Sequence, residues 1–375
     1  MPNRPFLPPQ DLQDDIEIAD AIESCAESYG TLSDTSIRIV KEQYSVFEIV
    51  RHIEKRRINI SPDFQRYSVW SDLQRSELIE TILLEIPIPM LYLFENELGE
   101  KQIIDGKQRL TALHDYISGK FTLSKLKLLP EYIGKSFNQL PPILQARIED
   151  CQLQIYVVKP PTPDNVKFYI FDRINRGGTQ LNQQEMRHAL HQGKSTKLLQ
   201  SIASDERVSY FGIAKHDSSR MQKEYMILRF LSFYLYSTGF IHVNDDFSND
   251  INELHSHVMK FLNGCDDQFI EQLRLHTIWS FYYVFITLGE RAFQSIGSNS
   301  RTVISLFEII LHVFSNNDVR KKIEEGLKDR IVDIVDDYKI QVKSNKMLFS
   351  DNKTVSNSYN RTQFANEIIE SIKHA

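Results

Sequence analysis

Cysteine is scarce: Cys25, Cys151 and Cys265 are scattered over 375 residues without a C-x-x-C pair. That usage fits a reducing compartment and argues against a disulfide framework or a zinc site. Long hydrophobic runs are missing too, and no stretch approaches the roughly 20 apolar residues a membrane helix needs. The N-terminus, MPNRPFLPPQDLQDDIE, has no apolar signal core and turns acidic at once. These absences predict a cytoplasmic protein with no membrane partner. Positive charge is also in deficit, with 44 Lys and Arg against 50 Asp and Glu, a net charge of −6. No overall basic field draws the chain onto nucleic acid, so any such contact has to use a local patch.

What is present is ordinary for a folded chain: 41% hydrophobic and 25% charged residues. The length suits two domains on a scale of roughly 100–200 residues each. Residues 1–35 are rich in Pro and Asp and read as a loose leader, with a short helix near Ile16–Ser28. Order begins at Ser36. Ser45-Val46-Phe47-Glu48 is a capping box opening a helix through Arg57, and Ser71-Asp72-Leu73-Gln74 opens a second that stops at Pro87. Arg57–Ser61, Pro89–Glu95, Lys101–Asp105 and Cys151–Lys159 read as strands. A helix from about Pro163 to Ile174 runs into Asn175-Arg176-Gly177-Gly178, and Asn182 caps the next.

Past Gly193 the alternation fades and 3.6-residue periodicity takes over. Glu224–Tyr236, Ile251–Leu262, Phe269–Leu288, Val303–Phe314 and Val319–Val342 read as helices. Gly297–Asn299 and Phe349–Tyr359 read as connecting loops, and Asn360-Arg361-Thr362 as a polar cap on the last helix. The domains predicted are residues 36–195 and an all-α domain over 196–375.

Chemistry concentrates between Lys101 and Leu113. A strand ends at Asp105, Gly106 permits a sharp turn, and a helix begins. Free backbone N–H groups and a positive dipole end therefore meet at the mouth of the sheet, a natural anion site. Lys107 and Arg109 sit in the first helical turn, where the dipole disfavours cations unless a phosphate neutralises them. Asp105 suits a divalent metal or an oriented water, and Arg109 suits bidentate phosphate contact. Spacing alone leaves a second reading open, in which Asp105 and Arg109 are a structural pair at the helix start.

IIDGKQRLTAL resembles the DGQQR signature of the GmrSD restriction endonuclease N-terminal domain family. Three further segments are similar to that family in order: Pro62-Asp63-Phe64-Gln65-Arg66 with Trp70; Leu78–Leu83 with Ile86-Pro87-Ile88-Pro89; and Phe171–Gly178 with Leu181–Glu185. The resemblance covers roughly Ser45–Gly193. It implies an α+β fold of ParB/sulfiredoxin type that binds and hydrolyses a nucleoside triphosphate (ATP, GTP or CTP) with Mg²⁺, in defence against phage or modified DNA. On that basis Asp105, Gln108 and Arg109 are catalytic, with Asp105 the metal ligand. Gly106, Lys107, Gln65, Arg66, Asn175 and Arg176 contact nucleotide. The first Gln of the signature is Lys107 here, which suits a phosphate but puts turnover in doubt.

Many members of the family pair this domain with an HNH nuclease, in the same chain or in a partner. That chemistry needs metal-holding histidines on a ββα unit, and the histidines after residue 194 lack such neighbours. His255 and His257 would point about 200° apart on a helix. The expected partners are therefore nucleotide, DNA and a separately encoded nuclease or other effector. The rival is a non-hydrolysing DNA- or partner-binding module using nucleotide as a switch ligand, and a phosphotransferase is a third alternative. The basic run Arg51, His52, Lys55, Arg56, Arg57 is either a DNA backbone contact or a solvated helix face. Arg320, Lys321 and Lys322, interleaved with acids, read as a solvated helix. Aromatics from Phe230 to Phe285 read as core between helices.

Overall fold

The computed structural model describes residues 37–60, 70–96, 99–175, 182–209, 211, 221–242, 249–294, 303–344 and 353–375. The predicted leader and the loop at Gly297–Asn299 lie outside these residues. One compact unit ends at Leu181 and a second begins at Asn182.

The first unit is an α+β domain. Its elements are β1 (Arg38–Ser45), α1 (Val46–Glu54), β2 (Ile58–Asn59), α2 (Asp72–Leu83), β3 (Leu91–Glu95), β4 (Lys101–Asp105), α3 (Lys107–Ile117), α4 (Pro142–Asp150), β5 (Gln152–Lys159) and α5 (Asp164–Asn175). The strands form one mixed sheet in the order β1-β5-β3-β4-β2. β1 and β5 are antiparallel over their full length, β3 runs parallel to β5 and antiparallel to β4, and β2 runs parallel to β4. Both predicted capping boxes form, at Ser45 with Glu48 and at Ser71 with Gln74.

One face of the sheet supplies Leu91, Leu93, Ile103, Leu153, Ile155 and Val157. Against them pack Ile49 of α1, Ile79 and Ile82 of α2, Leu110 and Leu113 of α3 and Ile148 of α4. The opposite face receives α5, where Phe171 stacks on Phe94 with ring centroids 6.2 Å apart. β1 carries no strong hydrophobic alternation, and pairing with β5 is what makes it a strand.

The second unit is helical: α6 (Gln183–Leu190), α7 (Lys194–Ala203), α8 (Glu206–Ser209), α9 (Gln222–Ser237), α10 (Ile251–Gly264), α11 (Asp267–Leu288), α12 (Ile304–Ser315), α13 (Asn317–Glu324), α14 (Lys328–Ser344) and α15 (Val355–Lys373). Its core gathers Leu198, Phe230, Leu231, Val258, Phe281, Phe307, Phe314 and Ile369. The predicted Val319–Val342 helix is two helices. Gly326, at φ 92, closes α13 with Leu327 N–H donating to the Lys322 carbonyl, a left-handed stop that glycine permits. The predicted polar cap at Asn360–Thr362 is a correction: these residues lie mid-helix in α15, and Arg361 is wholly buried. Val355–Tyr359, read as loop, is likewise the start of α15. No described helix is long and apolar enough to cross a membrane.

Candidate functional site

Strict alternation along β4 would aim Asp105 at the core beside Ile103. A register shift between Tyr92 and Leu93 prevents this: Leu93 faces Ile103, yet Tyr92 faces Asp105, so Ile104 is the extra residue. Such a bulge re-aims the next side chain. Asp105 is thereby set opposite Tyr92, which stacks on Tyr156 at 5.6 Å on the face away from the main core. The Asp105 side chain keeps 41% of its surface exposed.

Gly106 follows at φ 99, a left-handed conformation, and is the N-cap of α3 without a side-chain cap bond. No acidic residue occupies the first turn. A Cβ at Gly106 would overlap Leu91 Cδ2 and lie 3.3 Å from Arg109 Nη2. Glycine is therefore required twice, for its φ and for the close approach of two neighbours.

The helix start presents Lys107, Gln108 and Arg109 at partial exposure. Arg109 Nη2 donates to Asp105 Oδ2 at 2.8 Å, while Nη1 donates to the Pro89 carbonyl and, at 3.5 Å, to that of Met90. Only 13% of this side chain is exposed. The guanidinium thus ties the turn before β3 to the start of α3 and fixes one carboxylate oxygen of Asp105. The Asp–Arg pair read from spacing exists, and the pairing leaves Asp105 Oδ1 open among the described residues. Gln108 Oε1 accepts the Trp70 N–H at 3.2 Å, joining the motif to the segment that leads into α2.

Asp105, Gly106, Lys107, Gln108 and Arg109 thus lie at one turn. Gln65, Arg66 and Arg176 lie outside the described residues, and Asn175 is the last residue of α5. Among the described residues no group of three or more His, Cys, Asp or Glu could hold a metal. A lone carboxylate suits Mg²⁺ carried largely by substrate phosphates and water, the usual arrangement for that ion, rather than an all-protein cage.

Two charged clusters escaped the sequence reading because their members come from distant elements. At the other end of β4, Lys101 Nζ bonds Glu42 and Tyr44 Oη, the latter at 2.9 Å. Lys159 Nζ lies 3.0 Å from Glu42 and 3.4 Å from Glu95. Burial alone would raise the Glu42 carboxyl, but the hydrogen bonds from Lys101, Tyr44 and Lys159 prevail and bring it down to about 2. In the helical unit, Glu308 accepts from Arg229 Nε and, at 2.7 Å, from Arg361 Nη1. Both guanidiniums are fully buried and overcome the desolvation of Glu308, holding its carboxyl below the ordinary range.

His255 is fully buried on α10 whereas His257 is exposed, as two positions two residues apart on a helix must be.

Residues 46–192 match the family model described as GmrSD restriction endonuclease, N-terminal domain. No curated protein matches the chain. The match runs through α6, which packs within the helical unit, so the family segment extends beyond the α+β core. The stretch from Val46 to Gln192 is thus similar to the GmrSD restriction endonuclease N-terminal domains, a similarity over less than half of the chain that points to a restriction-system component.

Proposed function

We propose that the Asp105–Arg109 turn binds a nucleoside triphosphate (ATP, GTP or CTP) as its magnesium complex and hydrolyses it. The chain would thereby act as the sensor or regulatory subunit of an anti-phage or modification-dependent restriction system. One observation carries the reading: α3 begins with neither a side-chain cap nor an acid, while a half-exposed carboxylate and a lysine flank that start. The first backbone N–H groups of a helix have no intrahelical acceptor and a positive dipole end behind them, which favours phosphate there.

In this reading the phosphates meet the N–H groups at the start of α3 and Lys107. Asp105 would hold Mg²⁺, which would supply neutralisation of phosphate charge. Alternatively, Asp105 Oδ1 orients the attacking water and accepts its proton, while Gln108 positions nucleotide or water. Arg109 acts from its anchored place by holding Oδ2 of Asp105. Gln65, Arg66, Asn175 and Arg176 complete the nucleotide contacts, and the helical unit passes the nucleotide state to DNA or to a separately encoded nuclease. In this reading nuclease activity belongs to that separately encoded partner.

A second reading is favoured by Lys107 in place of glutamine and by an Arg109 guanidinium already engaged by two carbonyls and Asp105. Here the nucleotide is a switch ligand bound without turnover.

The test is phosphate release from ATP, GTP, CTP and UTP with magnesium, with and without DNA, for wild type, Asp105→Ala and Arg109→Ala. Hydrolysis predicts turnover that falls by about 10²–10⁴-fold in Asp105→Ala, the range for loss of a general base. Stoichiometric binding without product selects the switch reading, and absence of nucleotide binding under any metal condition refutes both.

A further inference from the structure

α11 does not bury all its aromatics. Phe281 and Ile278 are wholly buried, but Trp279 is 43% exposed and Tyr282 and Tyr283 are half-buried. Trp279 and Tyr283 form one wall of a cleft of about 340 Å³, and Asn317, Arg320, Lys321 and Glu324 of α13 form the other. The cleft is an open groove on the surface rather than an enclosed pocket. The expectation that every aromatic on this helix is core therefore fails at Trp279, because α13 crosses beside the indole without covering it.

The cleft walls are fixed. The Arg320 guanidinium lies 5.6 Å from the Tyr283 ring centroid and donates to Ser280 Oγ at 2.7 Å. It also reaches the carbonyls of Phe314 at 3.0 Å and His276 at 3.3 Å. Tyr283 donates its hydroxyl to Glu324. Arg207, paired to Asp205, lies 5.8 Å from the Trp279 ring. Lys321 is 75% exposed, with Glu325 3.9 Å away. Arg320 and Lys321 against Glu324 leave one net positive charge facing the cleft.

We propose that this cleft binds an unpaired nucleobase with its adjoining phosphate, from single-stranded nucleic acid, at a site separate from the α3 turn. Trp279 offers a stacking surface that any base can use. The Asn317 amide and the second oxygen of Glu324 meet the base edge, the carboxylate accepting from an exocyclic amino group. Lys321 takes the phosphate. Arg320 is a positioning residue that holds Tyr283 and the floor. A cationic ligand is disfavoured, since guanidiniums already stand against both rings. A duplex is disfavoured because its bases expose no free face and one net charge grips few phosphates.

The probe is a fluorescein-labelled deoxyadenosine oligomer of about 15 nucleotides, followed by anisotropy with the full chain and compared with a fully paired duplex. Trp279→Ala weakens binding from about 5-fold to about 150-fold, the stacking contribution per base expressed as affinity. Trp279→Phe restores most of it. Lys321→Ala lowers the slope of log affinity against log salt by about 0.7, the value for one phosphate on a single strand. The titrations are run without nucleotide, so that they read the cleft apart from any coupling to the α3 turn. Because the indole is exposed, these variants keep the wild-type melting curve. Three results overturn the proposal: no oligomer binding by wild type, equal binding by Trp279→Ala, or a duplex bound as tightly as the single strand. Displacement by AMP at comparable concentration reassigns the cleft to free nucleotide and overturns the single-strand reading. Loss of hydrolysis in Asp105→Ala bears only on the α3 site.

Discussion

Gly106 is confined on two sides, by Leu91 and by the Arg109 guanidinium, at a φ of 99. Gly106→Ala adds left-handed strain of about 1–2 kcal/mol and an overlap with Leu91 of about 1–3 kcal/mol. The variant is expected to lose about 2–5 kcal/mol in urea unfolding, with nucleotide binding lost at the same time. Arg109 yields a sharper prediction. Lysine keeps the charge but lacks the planar fork that bridges Asp105 and the Pro89 and Met90 carbonyls. Arg109→Lys should therefore lower kcat for phosphate release by at least about 10-fold, since a 1 Å displacement of an aligned group costs that much or more. Retention of full turnover in Arg109→Lys would show that charge alone suffices there and that the anchoring role is wrong.

Among elements, α9, α12 and α15 are joined by polar groups inside an apolar core. Arg229, Glu308 and Arg361 are contributed one by each helix, and Tyr225 and Ser358 take remaining donors of Arg229 at 3.0 and 3.3 Å. Glu308→Gln leaves two buried guanidiniums facing a neutral amide. Breaking a buried pair in this way costs about 3–5 kcal/mol, whereas replacing all members by apolar residues is often neutral. Chemical denaturation should show that loss. A triple replacement by apolar residues of similar volume should recover most of it if the triad sets helix register rather than supplying net stability. The bulge at Ile104 works at the same scale in the other unit, because one extra residue in β4 decides whether Asp105 faces core or solvent.

The two units differ in acid sensitivity: among the described residues burial lowers one part-buried histidine of the α+β unit, His52, and three of the helical unit, His255, His276 and His312. In the α+β unit Glu42 is depressed to about 2 by Lys101, Tyr44 and Lys159. Its contribution is present above the ordinary carboxylate value of 4.5 and is lost as pH falls toward 2. In the helical unit burial lowers His276 to about 4 and pushes His255 well below 6.5. Both are neutral in the fold, so stability present above 6.5 is lost as pH falls from there toward 4. Hydrogen exchange as a function of pH should therefore show the helical unit loosening first. Glu42→Gln should flatten only the lower limb, by about 1–2 kcal/mol after allowance for its partial solvent screening. Simultaneous loosening of both units between pH 6.5 and 5 would contradict this assignment.

Local chemistry sufficed for much of this protein. The capping boxes at Ser45, Ser71 and Asn182 and the strand–glycine–helix turn at Asp105 need only neighbours within one helical turn, and all appear. The DGKQR stretch and its companion motifs also sufficed to identify the domain. What the chain could not disclose by itself involves partners far apart in sequence. β1 becomes a strand only by pairing with β5, and Arg361 looks like a surface cap until Glu308, 53 residues away, meets it inside the core. Trp279 reads as core by its spacing, and only the path of α13 beside it leaves the indole in solvent. Helical periodicity fixes which face a residue occupies. Whether a second element covers that face is decided by the packing of the whole fold.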